Sequence, residues 1–193
     1  MEQIILASAS PRREYFFRLL GLPFTVIPAK INETPALGLT PIQIARDLAL
    51  KKVRAVIKKT DCKWVFGADT IITLNGKIYG KPADEYAARE MLESLAGKVH
   101  EAITAMALWH KDSPQADVRH VCASVEMAKL DKADIEWYIS TGEWQGAAGA
   151  YRLQEKGGCI INSINGCPST VAGLPLREFY LMLKDNGYRF DLC

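Results

Sequence analysis

Histidine is scarce in this chain, cysteine pairs are absent, and no run approaches the ~18 apolar residues of a membrane span. The three histidines, His100, His110 and His120, stand ten residues apart, a spacing that suits neither one helical face nor a metal site. No His–Cys or His–Asp set points to a catalytic triad, so they read as surface or strand histidines. The five cysteines, Cys62, Cys122, Cys159, Cys167 and Cys193, are odd in number and widely spaced, with no CxxC. That excludes a disulfide scaffold and reads as reduced thiols of a cytosolic protein. Residues Met1 to Leu6 lack the basic and apolar segments of a secretory leader, so the chain is expected to remain in the cytoplasm. Neither GxxxxGK[ST] nor GxGxxG occurs, which argues against a P-loop ATPase and a dinucleotide fold.

Charge of one sign is also lacking. Lys and Arg number 24 against 22 Asp and Glu, a formal net charge of +2, so no polyelectrolyte signal for nucleic acid or a membrane surface exists. The basic stretch Lys51-Lys52-Val53-Arg54 with Lys58-Lys59 is the only support for nucleic acid, and on a helix it reads as a solvated face without interleaved aromatics. What is abundant is apolar material: 49% of 193 residues, enough for the core of one domain.

Local patterns predict alternating element types. Gln3 to Ala7 reads as a strand, and Pro11 opens a helix over Arg12 to Leu20 that Gly21 ends. Phe24 to Pro28 reads as a second strand, and Thr40-Pro41 supplies the cap and first position of a helix running to about Lys59. Trp64 to Leu74 is a strand rich in β-branched residues, and Asn75-Gly76 turns it into Lys77-Ile78-Tyr79 as a hairpin. Asp84 caps a helix over Glu85 to Leu95 that Gly97 breaks; Val99 to Trp109 and Val118 to Leu130 follow as long strands. A short helix from Asp131 or Lys132 to Ser140, a late strand over Cys159 to Ile164 and a last helix over Pro175 to Asp185 complete the pattern. The elements intermix without a strict βαβ repeat, which predicts an α/β fold with a mixed sheet.

Five segments carry candidate chemistry. Ala7-Ser8-Ala9-Ser10-Pro11-Arg12-Arg13 lies where a strand hands over to a helix, so free N–H groups, hydroxyls and paired guanidinium groups can cradle phosphates. The alternative is that the serines cap the helix and the arginines lie solvated, although positive charge there opposes the helix dipole. Gly67-Ala68-Asp69-Thr70 puts a carboxylate into an apolar strand, where something must compensate it. Asp69 can orient a water, hold a divalent cation, or be satisfied by a backbone turn. Lys81, in Gly80-Lys81-Pro82, is either a point-charge phosphate ligand or a surface turn lysine. Gly146 to Gln154 is a small-residue loop in which the Gln154 amide can read a base edge, or a plain flexible loop. Val171 to Leu176 reads as packing at the start of the last helix. Glu33 and Lys52 carry weaker signals, with solvated faces as the default.

In this order, ASASPRR, GADT, GKP, AGAYRLQ and VAGLPL resemble the Maf family of nucleoside triphosphate pyrophosphatases across nearly the whole chain. The resemblance implies an elongated mixed sheet flanked by helices, similar to the inosine triphosphate pyrophosphatases, in one bilobed domain over residues 1–193 with a cleft between the lobes. It implies magnesium- or manganese-dependent cleavage with Asp69 as proton acceptor and Glu33 assisting near the metal. Ser8, Arg12, Arg13, Lys52 and Lys81 match phosphate-side positions, and a homodimer is a further expectation of the resemblance. Arg12, Thr70 and Gln154 match the branch acting on dTTP and UTP. One departure stands out: the family commonly has glycine after that glutamine, and here Glu155 and Lys156 follow. The expected reaction is hydrolysis of dTTP and UTP to the monophosphate and pyrophosphate. Its rivals are a pyrophosphatase of modified nucleotides and a nucleotide-responsive regulator of septum formation.

Overall fold

A computed structural model describes residues 1–190, so Cys193 lies outside the described residues. Cys62, Cys122, Cys159 and Cys167 are free thiols, as the spacing predicts. The elements are β1 (Ile4–Leu6), α1 (Pro11–Leu19), β2 (Phe24–Val26), α2 (Pro41–Ile57), β3 (Trp64–Leu74), β4 (Lys77–Tyr79) and α3 (Glu85–Leu95). They continue with β5 (Val99–His110), β6 (Asp117–Met127), α4 (Lys132–Ser140), β7 (Ile161–Asn165), α5 (Pro168–Val171) and α6 (Leu176–Asp185). Seven strands form one sheet in the order β2-β1-β3-β5-β6-β7, with β4 paired to β3. β1 is parallel to β2 and β3, whereas β4 on β3 and β7 on β6 are antiparallel, so the sheet is mixed as expected.

The caps explain why the helices start where they do. Thr40 and Gln43 form a capping box at α2, each side chain bonded to the other's backbone N–H. Asp84 accepts from the Ala87 N–H at α3, and Asp131 with Asp134 repeats the box at α4. At the hairpin, Asn75 and Gly76 both take positive φ, 52° and 78°, as a type I′ turn demands.

The chain clusters into two compact units, and β3, β5 and β6 each contribute residues to both. The first comprises Met1–Asp69, Thr104–Val121 and the chain from Gly173 onward. Its core is aromatic: the Phe17 ring lies 5.3 Å from Phe24, 5.6 Å from Phe66 and 5.2 Å from Phe179. Phe17, Phe66 and Phe179 are fully buried, which places α1 and α6 on one face of the β1–β3 region.

The second unit comprises Thr70–Ile103 and Cys122–Ala172. Ile72, Leu92, Leu95, Tyr138, Ile139 and Tyr151 belong to its core, which packs α3 and α4 together. Several boundaries differ from expectation, among them that of β2, which ends at Val26 and not Pro28. The late strand starts at Ile161, not Cys159, because Lys156–Ile160 wind into a 3-10 turn in which a β-carbon on Gly157 would lie 2.4 Å from the Arg152 carbonyl oxygen. β6 stops at Met127, not Leu130, at an irregularity in its pairing with β7. The four-residue helix α5 has no counterpart in the sequence pattern read above.

His100 is a strand residue of β5, as one of the two readings expects, but it is buried and shares a 2.8 Å hydrogen bond between Nε2 and the Tyr151 hydroxyl. Its Nδ1 is buried without a hydrogen-bond partner. Burial lowers its pKa from 6.5 to about 4, so the folded state holds the ring neutral. Stability from this group is complete above pH 6.5 and is lost as pH falls toward 4, because the unfolded chain takes the proton first. The native chain should therefore lose about 3 kcal/mol more than His100→Gln between pH 7 and pH 4. Urea unfolding of both at the two pH values measures this; equal losses would show that His100 titrates normally in the fold.

Candidate active site

Asp69 sits in the middle of β3, only 9% exposed, among Ala68, Ile71 and Ile72. A lone carboxylate there would be costly. Its compensation comes from α2, whose buried stripe Ile44, Ala45, Leu48, Ala49, Lys52, Val53 and Val56 follows helical spacing with one cation inserted. Lys52 Nζ donates to Asp69 Oδ1 at 2.6 Å and lies 2.8 Å from Glu33 Oε1. Lys52 is therefore a core lysine and not part of a solvated face. Glu33 reaches it from an exposed segment between β2 and α2.

Gly67 lets helix and strand come this close. A β-carbon there would lie 3.0 Å from Val53 Cγ2, 3.1 Å from the Ala49 carbonyl oxygen and 3.3 Å from Lys52 Cβ. Two of those neighbours are Lys52 itself and the residue after it. The glycine of GADT thus has a steric role in setting the lysine against the aspartate.

The loop before α1 brings a second group together. Pro11 occupies the first turn, and Ser10 precedes it without a side-chain cap. Ser8 Oγ instead accepts from the Ser10 N–H at 3.2 Å and from Arg13 Nη1 at 3.1 Å. The plain capping reading of these serines therefore fails. Arg13 is 8% exposed and donates from Nε to the Gly173 carbonyl at 3.0 Å. Gly173 has φ of +103°, a conformation that side chains rarely adopt, so the segment expected only to pack also orients an arginine.

Burial lowers the Arg13 pKa to about 10, with Arg12 pushing the same way and the Asp69 and Glu33 carboxylates opposing. The guanidinium stays charged at neutral pH. Arg12, Arg13 and Lys52 thus set three cations against the carboxylates of Glu33 and Asp69 in the first unit. Such a surplus, at the positive end of a helix, favours an anion with several oxygens. The two carboxylates offer oxygen donors of the kind that hard divalent cations take. Among the described residues, no group of three or more His, Cys, Asp or Glu forms a complete metal cage.

Thr70 follows Asp69 on β3 but belongs to the second unit, as do Lys81 and Gln154. Lys81 is exposed just after β4, and the Gly80 carbonyl before it accepts from the Gly149 N–H at 3.1 Å. Gly149, φ +69°, approaches Ile72 so closely that a β-carbon would lie 3.1 Å from its side chain. The small residues of AGAY thereby pin the GKP turn. Gln154 is exposed on a turn held by Arg152 Nη2 bonding to the Gln145 carbonyl at 2.8 Å.

A family model described as "Maf-like protein" matches residues 3–186. The chain belongs to the Maf family. Among its relatives, the dTTP/UTP pyrophosphatase of Pelotomaculum thermopropionicum is 41% identical over 188 residues, covering 97% of this chain and 98% of that one. The protein of the same name from Aquifex aeolicus is 39% identical over 183 residues, 95% of each chain. In fold, the Maf chain is similar to the Staphylococcus aureus Ham1 protein, with a TM-score of 0.57 at 15% identity over 96% of this chain and all of that one. Among the described residues no helix is long and apolar enough to cross a membrane.

Sequence patterns did not expose the Gly173 carbonyl or the His100–Tyr151 pair; the invitation to look at position 173 was a glycine between apolar residues. Gly67→Ala should destabilise the chain by about 1–3 kcal/mol by forcing α2 away from β3. Chemical denaturation of the native and variant chains checks this, and an unchanged midpoint would mean that the helix yields freely.

Proposed function

We propose that this Maf-family protein hydrolyses dTTP and UTP at the α–β phosphoanhydride bond, releasing the nucleoside monophosphate and pyrophosphate. The observation that carries this reading is Asp69, held by Lys52 beside Glu33 and within the field of the buried Arg13. The names of relatives near 40% identity over almost the whole chain support the substrate. In this reading the protein is a cytoplasmic enzyme of nucleotide-pool housekeeping, acts as one catalytic domain over the chain, and forms a homodimer.

Water must attack the α-phosphorus opposite the pyrophosphate leaving group. Asp69 orients that water and takes its proton as the oxygen–phosphorus bond forms and the bond to the bridging oxygen breaks. Arg12 and Arg13 offset the negative charge of the phosphate chain, with Ser8 fixing the Arg13 fork and Lys81 adding a point charge. Thr70 and Gln154 serve base selection. Glu33 and Asp69 would hold magnesium or manganese, the remaining coordination falling to water and phosphate oxygens, as hard cations prefer. When bound, such an ion supplies Lewis acidity and charge neutralisation at the phosphates.

The test is pyrophosphate release from canonical triphosphates, 5-methyl-UTP and pseudo-UTP, with magnesium or manganese. Turnover of dTTP and UTP is expected, reduced roughly 10²- to 10⁴-fold in Asp69→Asn. Equal rates in that variant remove Asp69 from the mechanism. Preference for the modified nucleotides would make them the substrates, and binding without product would favour a regulator.

A further inference from the structure

Lys52 stands where neither of its simple roles would put it. A lysine serving only as a phosphate ligand would leave its head open to the ligand, and one serving only to neutralise Asp69 would need no second carboxylate. Here a side chain that is 9% exposed places one Nζ 2.6 Å from Asp69 and 2.8 Å from Glu33. These are the two carboxylates that the proposed function gives to a divalent cation. An ammonium is a compact point charge with three donors, and two of its directions are already spent on them.

Both carboxylates are thus converged on one point by a cation the chain carries itself. A magnesium ion takes oxygens at about 2.0–2.1 Å and in octahedral array, closer than the 2.6 and 2.8 Å at which Nζ holds the same two groups. The two cations therefore compete for the same oxygens, and their mutual repulsion at such separations forbids sharing the space between them. The flexible four-carbon stem of lysine gives the head somewhere to go. Asp69 is anchored in β3 and cannot follow it.

We propose that Lys52 is an internal counter-ion of Glu33 and Asp69 that exchanges with the divalent cation: it preorganises the two carboxylates and is released from them when the cation binds, becoming available to an anionic phosphate. This inference rests on the proposed function for the identity of the metal site, but not on hydrolysis. Lys52 acts in it as a positioning residue. It keeps the exposed Glu33 carboxylate from repelling the buried one of Asp69, and it sets a threshold for the metal that enters.

The test uses the full chain without nucleotide and follows Mg²⁺ binding by titration calorimetry in the native protein, Lys52→Met and Lys52→Arg. Competition predicts roughly tenfold or more tighter binding in Lys52→Met, and weaker binding in Lys52→Arg, whose fork grips two carboxylates better than an ammonium does. A general charge effect alone would leave Lys52→Arg equal to the native chain, and that result overturns the exchange. As a second readout, acetylation of native Lys52 by a small acylating reagent, followed by peptide mass spectrometry, should rise several-fold at saturating Mg²⁺. Unchanged labelling with Mg²⁺ bound, or no Mg²⁺ binding at all, also overturns it, and this arm stands even where Lys52→Met does not fold. Hydrolysis of dTTP and UTP by the native chain is measured separately. Turnover without exchange refutes only this inference, and exchange without turnover refutes only the proposed activity.

Discussion

A carboxylate inside an apolar strand constrains everything around it. Asp69, in the interior of β3, is met at 2.6 Å by Lys52, which projects from the buried stripe of α2. Removing one partner of such a pair costs about 3–5 kcal/mol, since the other charge is left buried and alone. Replacing both by apolar residues would be nearly neutral for the fold, so stability does not explain why the pair is there. A charged pair that the core does not need is a sign of chemistry, and the surplus of cations around it indicates an anion as its object.

The close approach that this pair requires is distributed over small residues. Gly67 removes the side chain that would separate α2 from β3, and Gly173 adopts a backbone conformation that turns its carbonyl toward Arg13. In the second unit Gly149 does the equivalent for the GKP turn, resting on Ile72 and donating to the Gly80 carbonyl. Three of the five sequence motifs are thus held by glycines whose roles are steric or conformational. Their charged neighbours are visible as chemistry, while the glycines set where that chemistry happens.

Local order was legible because it arises from local causes. The Thr40 box, the Asp84 cap and the Asn75-Gly76 turn each act within four residues, and each is found where the pattern puts it. The compensation of Asp69 was legible as a need, since a buried carboxylate demands a partner. Its identity was not, because Lys52 reaches it only after a helix and a strand have packed together, and a run of basic residues on a helix reads by default as solvated. The burial of Arg13 was hidden in the same way. Its inward turn depends on Gly173, 160 residues further on, and no short-range pattern carries that contact. The late start of β7 has a similar origin in backbone packing around Gly157.

The residues after Gln154 lie in a turn whose steric demands the backbone sets. Glu155, where the resemblance leads one to expect glycine, has φ of −118°, a value open to any side chain, so its β-carbon imposes no strain. The position that cannot accept one is Gly157, packed against the Arg152 carbonyl at a virtual distance of 2.4 Å. The turn therefore keeps its one steric requirement two residues later. The added charge is also answered locally, since Glu155 Oε2 lies 3.3 Å from Arg152 Nη1. Arg152 in turn binds the Gln145 carbonyl, which ties the substituted residue to the start of the same loop. Exposed pairs of this kind contribute little to stability. Their effect is on direction: the Glu155 carboxylate is drawn to Arg152 and away from the neighbouring Gln154.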